Sequence, residues 1–270
     1  MGHAALTLAG RAALVTGASS GIGEATAVAL AAEGARVGLL ARRAARLEAV
    51  RARIADTGGD ALVLAGDVTD AAFVAGAVAR VLERWRRLDL LVNNAARGMF
   101  APVEDTTAEE LRALLELNLV SVLTATRAAL PAMRRQRRGH IINVSSIVGR
   151  RGMPLLAAYS ATKFALGGLS EALRVELRGS GIQVSLVYPI YTETEFMAAA
   201  LRKTVAERRR GPMQSAAAVA RAIVRCVRRP RPEVYPYSPA RVLALLAVLA
   251  PGAVDWLIAR MVRPAAGGPS

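Results

Sequence analysis

A chain of 270 residues with 53% hydrophobic content is long enough to bury one large core, and α/β folds of this length are often single domains. The single cysteine, Cys226, excludes an intramolecular disulfide and indicates a reducing, cytoplasmic compartment. His3 and His140 are isolated from each other, which argues against a metal site. The net charge is +15, but its arginines recur in separate places without an aromatic stacking platform, which argues against nucleic acid and favours anionic cofactors.

The N-terminal part of the chain has the pattern of a dinucleotide site. Residues 1–10 lack a basic stretch followed by an apolar one, so we expect no signal peptide. A strand candidate, 11–16, runs into a glycine-rich turn, and a helix over 24–33 follows, closed by Gly34. Glycines let the backbone approach a pyrophosphate, and the helix N-terminus offers free N–H groups. An ordinary glycine-rich turn is the alternative, but the flanking strand and helix favour cofactor contacts from Gly17, Ser19, Ser20, Gly21, Ile22 and Gly23.

A second strand candidate, residues 35–41, ends directly at Arg42. In dinucleotide-binding folds the end of this strand faces the adenosine ribose, where an acidic residue selects NAD and an arginine accommodates the 2′-phosphate of NADP. Because Ala41 and Arg42 stand there, the sequence predicts NADP(H) as the preferred cofactor and NAD(H) as a second one. The competing interpretation is that Arg42 only opens a solvated, arginine-rich helix.

Two further strand candidates end in residues that suit a cofactor. Residues 61–65 precede Asp67 and Val68, which we expect at the adenine edge. Residues 88–92 precede Asn94 and Ala95, beyond which small side chains leave room for a cofactor over the sheet.

A long helical pattern follows, from an N-cap at Thr106 or Thr107 to about Gln136. It contains Asn118 within the apolar stretch 114–122, where a buried amide must find partners. Asn118 is either a core asparagine bonded to backbone or, given the residues downstream, the holder of a water in a proton relay.

The residues of greatest chemical interest lie between 146 and 163. Ser146 follows a strand-like run, 141–145, so its hydroxyl can reach the carboxyl edge of a sheet, where open α/β sheets place their ligands. Tyr159 and Lys163 are four residues apart in a helical pattern and therefore share one helix face. A cation beside a phenol favours phenolate, so we expect the ammonium to lower the pKa of the tyrosine from its usual value of about 10.

Five separated motifs together resemble the short-chain dehydrogenase/reductase family. They are Thr16–Gly23 (TGASSGIG), Asn93–Ala95, Asn118, Ser146 and Tyr159–Lys163, in that family's order and near its spacings over residues 9–195. The resemblance implies an α/β fold with a Rossmann-type doubly wound parallel sheet of about seven strands. It also implies a homodimer or homotetramer.

The resemblance also implies roles for the site residues. Tyr159 would be the general acid/base. Lys163 would lower the pKa of that tyrosine and would also bind the nicotinamide ribose. Ser146 would hold the substrate oxygen, and Asn118 would order a relay water. Ser145 is the rival for the serine role, but the thirteen-residue interval to the tyrosine that is usual in the family selects Ser146.

Two positions depart from the family pattern. Ala96 stands where the family usually has glycine, which adds one methyl group, and Pro189-Ile190 stands where it usually has Pro-Gly. The resemblance implies that Pro189, Thr192 and Thr194 line the nicotinamide. Isoleucine cannot adopt the φ > 0 conformations open to glycine, so a backbone that needs them there would displace or weaken the nicotinamide.

The C-terminal third varies in the family and is expected to define the substrate. We predict one domain over 1–239, with a substrate lid at 191–214 whose apolar half suggests a lipophilic substrate. An amphipathic helix over 215–229 and a last strand over 233–237 complete this domain.

The extension 240–270 is unusually apolar. Residues 242–250 carry no charge, Pro251-Gly252 interrupts them, and 253–262 resumes with Asp255 and Arg260 inside. The break and the two charges argue against a membrane span of about 20 residues. A pair of short helices covering the substrate pocket or a subunit interface is one interpretation, and shallow membrane contact through 242–262 is the other.

The sequence thus predicts an NADP(H)-dependent oxidoreductase that acts on a carbonyl or alcohol of a lipophilic small molecule. The alternative is a dinucleotide-binding sensor or scaffold without turnover, which only Ile190 favours. A membrane-surface or partner-binding function of the tail is compatible with the first interpretation.

Overall fold

The computed structural model describes residues 7–203 and 212–260. The expectations for residues 1–6, for the arginine-rich part of the lid at 208–210 and for 261–270 lie outside these ranges. In the described part the strands are β1 (Ala12–Thr16), β2 (Arg36–Ala41), β3 (Ala61–Ala65), β4 (Leu90–Asn93), β5 (Met99–Phe100), β6 (Gly139–Val144), β7 (Ile182–Val187), β8 (Tyr191–Glu193), β9 (Leu201–Arg202), β10 (Met213–Ser215) and β11 (Glu233–Val234).

Seven of these strands form one parallel sheet in the order β11-β7-β6-β4-β1-β2-β3. The chain runs outward from β1 to β3 and then returns to the other side of β1 with β4. The carboxyl ends of β1 and β4 therefore flank a crevice at the point where strand order reverses, which is where open α/β sheets bind ligands. This confirms the predicted doubly wound sheet. Its strand β7 was not among the strands assigned from sequence.

Helices cover both faces of the sheet, as buried parallel strands require. They are α1 (Gly21–Ala32), α2 (Ala44–Ala55), α3 (Ala71–Trp85), α4 (Ala108–Leu115), α5 (Ser121–Arg135), α6 (Ala157–Glu176), α7 (Phe196–Ala199), α8 (Ala216–Arg228), α9 (Pro239–Leu249) and α10 (Pro251–Ala259). Apolar side chains of α1, α2 and α8 pack on one face of the sheet, and those of α3, α5 and the end of α6 pack on the other.

The long helix predicted from about 107 to 136 is confirmed as one helical stretch, Ala108–Arg135, in which a π-helical turn at Glu116–Val120 joins α4 to α5. Its predicted N-cap is confirmed at Thr107, which forms a capping box with Glu110. The π turn surrounds Asn118, whose fully buried side chain bonds outside its own helix. An extra residue in the turn reorients the neighbouring side chains, and such turns are frequent at functional sites.

The C-terminal extension forms two helices bent by 119° at Ala250. This confirms the predicted pair of short helices. By length and composition alone, the stretch Ala108–Arg135 could cross a membrane, and so could this bent pair taken as one span. The first of these supplies core residues of the domain, among them Leu114, Ala125 and Met133. The bend separates the second into pieces too short to cross.

A buried histidine in β6 makes the fold sensitive to acid. His140 Nε2 lies 2.8 Å from Ser185 Oγ, and that hydroxyl donates to the Arg231 carbonyl, so Nε2 must carry the proton. His140 Nδ1 is buried without a hydrogen-bond partner, and burial lowers the pKa of the imidazole to about 4. Protonation of His140 would therefore place a second N–H group, at Nδ1, in the core without a hydrogen-bond acceptor.

We expect the free energy of unfolding to fall as the pH falls from about 6.5 to about 4, because the unfolded chain binds this proton first. The contribution of His140 is roughly 3 kcal/mol over that window. Urea unfolding at a series of pH values checks this, with His140→Gln as the control variant that cannot titrate. Equal acid sensitivity of the two proteins would contradict the assignment.

Candidate active site

One cleft of about 470 Å³ lies at the carboxyl ends of β1 and β4. It brings together residues from the glycine-rich turn, from the ends of β2, β3 and β4, from the start of α6 and from the segment after β7. Of the site residues predicted from sequence, those that line it are Gly17, Ser19, Ser20, Gly21, Ile22, Arg42, Asp67, Val68, Asn94, Ala95, Ser146, Tyr159, Lys163, Thr192 and Thr194.

Three residues predicted for the site do not line this cleft: Gly23, Pro189 and Asn118. A Cβ at Gly23 would lie 2.6 Å from Asn94 Nδ2, so glycine is needed there for close packing of α1 on the turn. The carbonyl of Pro189 accepts a hydrogen bond from the Ile147 backbone at 2.9 Å, which fixes it to the neighbouring loop.

The glycine-rich turn forms one wall of the cleft. Gly17 and Gly21 have φ of 66° and 58°, which side-chain-bearing residues rarely adopt, and a Cβ at Gly17 would lie 2.8 Å from Asn94 Nδ2. Ser20 is the N-cap of α1, but its side chain does not cap the helix. The first N–H groups of α1 therefore lack a side-chain partner at the cleft, together with the partial positive charge of the helix end. This arrangement suits a phosphate group.

Thr16 and Asn94 join the ends of β1 and β4 beneath that turn. Thr16 Oγ1 accepts hydrogen bonds from the backbone N–H groups of Asn94 and Ala95, at 3.0 and 3.1 Å. Asn94 Nδ2 donates to the Thr16 carbonyl at 3.1 Å. These bonds hold the two strand ends together, so the floor of the cleft is rigid.

The arginine that bonds to the glycine-rich turn is Arg43, the neighbour of the predicted Arg42. Arg43 Nη2 donates to Ser20 Oγ at 2.7 Å and to Ser19 Oγ at 3.2 Å. The predicted Arg42 also lines the cleft, where its side chain is 78% exposed and lies 4.0 Å from Asp67, and its assignment to the 2′-phosphate stays a prediction. Arg43 is therefore the better placed cation for an anion bound beside Ser19 and Ser20.

The Arg43 guanidinium already forms an ion pair with a carboxylate of the predicted lid, that of Glu195. Glu195 Oε2 lies 2.8 Å from Arg43 Nη1, and Glu195 Oε1 lies 3.4 Å from Arg46 Nη2. The hydrogen bond from Arg43 is the main reason that the pKa of Glu195 is lowered. An incoming anionic group would compete with Glu195 for the same guanidinium.

At the other end of the cleft, Tyr159, Ser146 and Lys163 come together as predicted. The Ser146 side chain lies beside the Tyr159 hydroxyl in the cleft. Ser146 Oγ also accepts a bond from the Val148 N–H at 3.3 Å. The rival Ser145 instead points its hydroxyl at the Lys163 carbonyl, 3.4 Å away. This geometry favours Ser146 over Ser145 as the serine beside the phenol.

Burial dominates the titration of the tyrosine and the lysine. It raises the pKa of Tyr159 well above its usual value, and the adjacent Ser146 hydroxyl only partly opposes this. The expected lowering of the tyrosine pKa by Lys163 is not seen, because burial outweighs it; Lys163 Nζ donates to the Val144 carbonyl at 3.0 Å and lies 5.8 Å from the Tyr159 ring centroid. Burial also lowers the pKa of Lys163 to about 8. At neutral pH the phenol therefore keeps its proton and the ammonium keeps its charge.

The side chain of Asn118 is bonded within the protein. Its Oδ1 accepts from the Arg97 N–H at 2.9 Å, and its Nδ2 donates to the Arg97 carbonyl and to Thr162 Oγ1. Thr162 in turn donates to the Tyr159 carbonyl at 2.8 Å. Asn118 thus ties the segment after β4 to the first turn of α6, which is the role of a core asparagine. The relay role stays a prediction.

The backbone at Ile190 does not need glycine. Its φ is not positive, unlike that of Arg86, Arg137 and Leu155 in the described part of the chain. Ile190 also does not line the cleft. The substitution that the sequence analysis singles out as an obstacle to nicotinamide binding therefore causes no backbone strain here.

A buried polar chain that sequence reasoning missed supports α6. Asn93 Nδ2 donates to Asn143 Oδ1, and Asn143 Nδ2 donates to Ser170 Oγ, each at 2.8 Å. These hydrogen bonds connect β4 to β6 and β6 to α6, and they fix the helix that carries Tyr159. An asparagine inside the otherwise apolar run 141–144 was the signal that could have revealed it.

Apolar side chains surround Tyr159 on the side away from the glycine-rich turn. Val148 and Leu156 pack against it, with Phe100, Met153 and Phe196 at the edge of the cluster. The ring centroids of Tyr159 and Phe196 are 5.7 Å apart. Because Phe196 belongs to the predicted lid, the lid contributes an apolar wall beside the phenol.

The described cleft fits a nicotinamide dinucleotide. Free N–H groups at the start of α1 suit its pyrophosphate, Arg43 suits an added phosphate, and Lys163 and Tyr159 lie at the opposite end. Among the described residues, no group of three or more His, Cys, Asp or Glu side chains could hold a metal ion.

Comparison with known proteins decides the family. The family model described as short chain dehydrogenase matches residues 11–205. The chain belongs to the short-chain dehydrogenase/reductase family. It is therefore an oxidoreductase of that family.

Two relatives resemble the chain at moderate identity. A 3-oxoacyl-[acyl-carrier-protein] reductase from Synechocystis sp. is 37% identical over 189 residues, which is 70% of this chain and 76% of the relative. Glycine betaine reductase ATRR from Emericella nidulans is also 37% identical, over 190 residues that make up 70% of this chain but only 15% of that longer protein.

A solved structure of a metagenomic short-chain oxidoreductase in complex with NADP has 34% sequence identity and a TM-score of 0.73. The alignment covers 85% of this chain and 98% of that one. The two named relatives differ in substrate, so they assign none to this chain.

Proposed function

We propose that this chain is an NADP(H)-dependent oxidoreductase that reduces a carbonyl, or oxidises the corresponding alcohol, of a lipophilic small molecule. The observation that carries the proposal is that Tyr159, Ser146 and Lys163 line one cleft together with a phosphate-binding turn, with Tyr159 and Lys163 on the same face of α6. The cofactor, when bound, supplies or accepts the hydride at its nicotinamide ring, and the protein supplies position and charge.

The adenosine end supports NADP(H) over NAD(H). Arg43 presents its guanidinium beside Ser19 and Ser20, and Arg42 and Arg46 stand nearby. No acidic side chain ends β2, where Ala41 stands. The NADP bound by the metagenomic family member agrees with this assignment. NAD(H) is the second cofactor that the cleft would accept.

Tyr159 is the proton donor in the reductive direction. Its raised pKa keeps the phenol protonated at neutral pH until negative charge develops on a carbonyl oxygen beside it. Ser146 is placed to donate a hydrogen bond to the same oxygen. The raised pKa leaves little phenolate at neutral pH to accept a proton in alcohol oxidation, so that direction would require added positive charge near the phenol.

Lys163 is expected to hold the cofactor's ribose and to keep a positive charge near the tyrosine. Its ammonium lies 5.8 Å from the Tyr159 ring centroid and has one bond, to the Val144 carbonyl. An ammonium has three donors, so two remain for ribose hydroxyls. A relay water, if Asn118 serves one, would use the second lone pair of its Oδ1 or a carbonyl of the π turn.

The apolar cluster around Tyr159 supports a lipophilic substrate. Phe196 lines the cleft with an apolar ring, and Val148 and Leu156 form the buried apolar cluster behind it and Tyr159. We expect the lid, residues 191–214, to contribute Phe196 to this pocket. No observation favours the sensor or scaffold alternative, since Ile190 does not strain the backbone or enter the cleft.

The test is a screen of hydrophobic ketones, aldehydes and alcohols, with consumption or formation of NADPH and NADH as the readout. We expect turnover with at least one lipophilic carbonyl compound and a higher kcat/KM with NADPH than with NADH. Tight NADPH binding without turnover on any compound would favour the sensor alternative. In the same purified protein we expect a homodimer or homotetramer, which rests on the family resemblance alone.

A further inference from the structure

A second cleft, of about 560 Å³, lies far along the sheet from the first, where α8, β11 and the start of α9 meet. Five arginines line this arginine cleft: Arg225, Arg228, Arg229, Arg231 and Arg241. Tyr235 and Ser238 add hydroxyl groups. So many cations in one concavity indicate an anionic ligand.

The positive charge of the arginine cleft is largely uncompensated. Arg228 forms an ion pair with Glu33, but the other four arginines have no carboxylate partner within the described ranges 7–203 and 212–260. The one acidic side chain that lines the cleft, Glu233, is bonded to Arg150 and Tyr235. Guanidinium groups without a carboxylate partner are available to bind an anion in the cleft.

Helix α9 begins at this cleft, and its large apolar side chains face solvent instead of the protein core. Small residues, Ala240, Ala244 and Ala247, are buried against the protein. The large aliphatic side chains point outward with exposed fractions of 48–80%: Val242, Leu245, Leu246, Val248 and Leu249. In a soluble helix the large apolar residues normally face the core, so this outer face is built to be covered.

Helix α10 extends the outer face with Trp256 and Leu257, which are 57% and 49% exposed. Arg260 stacks over the Trp256 ring at 3.4 Å from the centroid. The one acidic residue of the two helices, Asp255, is bonded to Arg151. The outer face therefore combines aliphatic and indole side chains with arginines and carries no free negative charge in its described part.

The arginine cleft and the outer face are continuous. Arg241, a member of the cleft, stands one helical turn before Leu245 on the same side of α9. At 1.5 Å per residue, the 11 and 9 residues of α9 and α10 extend only about 16 and 14 Å, and they are bent by 119°. A bilayer core is about 30 Å thick, so this geometry suits helices lying in the interface.

We propose that the arginine cleft and the outer face of α9 and α10 together form a docking site for an anionic lipid bilayer. The outer face enters the headgroup boundary, and the arginines bind the phosphate groups of anionic lipids. A second copy of the chain is the weaker occupant, because it would bring its own net charge of +15 and the same unpaired arginines to the contact.

Docking there would bring the substrate end of the enzyme near the lipid. Val254 and Ile258 of α10 pack on Met153, which also contacts the apolar cluster around Tyr159. A lipophilic substrate dissolved in the bilayer would then have a short path to the cleft. This last link, unlike the docking site itself, rests on the proposed function.

The experiment is flotation of the full chain with vesicles of phosphatidylcholine alone and of phosphatidylcholine with about a quarter phosphatidylglycerol. We expect at least about tenfold stronger binding to the anionic vesicles, weakened by salt. Replacing Arg225, Arg229, Arg231 and Arg241 by glutamine should reduce that binding at least about tenfold. The matched control replaces four exposed arginines elsewhere, Arg80, Arg127, Arg134 and Arg178, by glutamine and should bind like the wild type.

A second variant tests the outer face. Leu245→Ser with Leu249→Ser removes two exposed leucines, should leave the melting temperature unchanged, and should also weaken vesicle binding. Sedimentation analysis of the same variant without lipid tests whether a second copy of the chain covers this face instead. If the substitutions turn an oligomer into a monomer and vesicles are not bound, a second copy covers this face and the proposal is wrong.

Equal binding of the two arginine variants to anionic vesicles would also overturn the proposal. So would binding of inorganic phosphate by the arginine cleft without any binding of vesicles, because the cleft would then serve a soluble anion. All variants are compared for NADPH binding. Failure of lipid binding with intact cofactor binding refutes the docking site and leaves the proposed oxidoreductase function standing.

Discussion

Replacing Tyr159 by phenylalanine should abolish turnover while leaving the fold and the cofactor site in place. The substitution removes one hydroxyl group, which lies beside Ser146, and keeps the ring that packs on Phe196. General acid catalysis by a positioned side chain contributes about 10²- to 10⁴-fold, so we expect kcat to fall at least about 100-fold. Steady-state NADPH oxidation with the best substrate from the screen measures this.

The control for this variant is cofactor affinity. Titration of Tyr159→Phe with NADPH should give a dissociation constant close to that of the wild type, because Arg43 and the glycine-rich turn are untouched. Retention of more than about a tenth of the activity would remove Tyr159 from the acid/base role. Ser146→Ala, which leaves the phenol in place, should have a smaller effect of the same sign.

Replacing Arg43 by alanine should lower the affinity for NADP(H) far more than that for NAD(H). Arg43 donates to Ser19 and Ser20 and has its guanidinium at the rim where a 2′-phosphate would lie. A hydrogen bond to a charged group contributes about 1.5–3 kcal/mol, which corresponds to a loss of about 10- to 100-fold in NADPH affinity. Arg42→Ala is the matched control, and its effect should be smaller because that side chain is mostly exposed.

Glu195→Gln tests the same site in the opposite direction. The Glu195 carboxylate bonds Arg43 and Arg46 where an added phosphate would compete for them. Removing its charge should raise the affinity for NADPH severalfold and leave that for NADH nearly unchanged. Fluorescence titration with both cofactors provides the measurement. A selective loss of NADPH binding in Arg42→Ala, with none in Arg43→Ala, would show that the sequence-based assignment to Arg42 was right.

Sequence patterns predicted the architecture because each signal was local. The strand before Gly17, the turn itself and the helix after it follow from hydrophobic runs and glycine punctuation, and the structure confirms them. The capping box at Thr107 and the break at Pro251 were likewise visible in a few neighbouring residues. Such features need no knowledge of distant contacts.

The features that were missed depend on tertiary contacts. Asn118 bonds to Arg97 and Thr162, and these distant partners accompany a π turn where the apolar pattern predicts one continuous helix. Arg42 and Arg43 both line the cleft, but the bonds of Arg43 to Ser19 and Ser20 depend on the backbone at the end of β2, which the sequence pattern does not reveal. The tuning of Tyr159 was also misjudged, since burial outweighs the lysine once the real positions are known.

The most direct test of the central claim follows the hydride in the substrate screen described above. With NADPH deuterated at C4 of the nicotinamide, on the face that reacts, the wild-type protein should place the deuterium on the carbon of the newly formed alcohol, and Tyr159→Phe should form almost none of this product. Alcohol formed without the label, or label released to water while the carbonyl compound is unchanged, would contradict hydride transfer in this cleft.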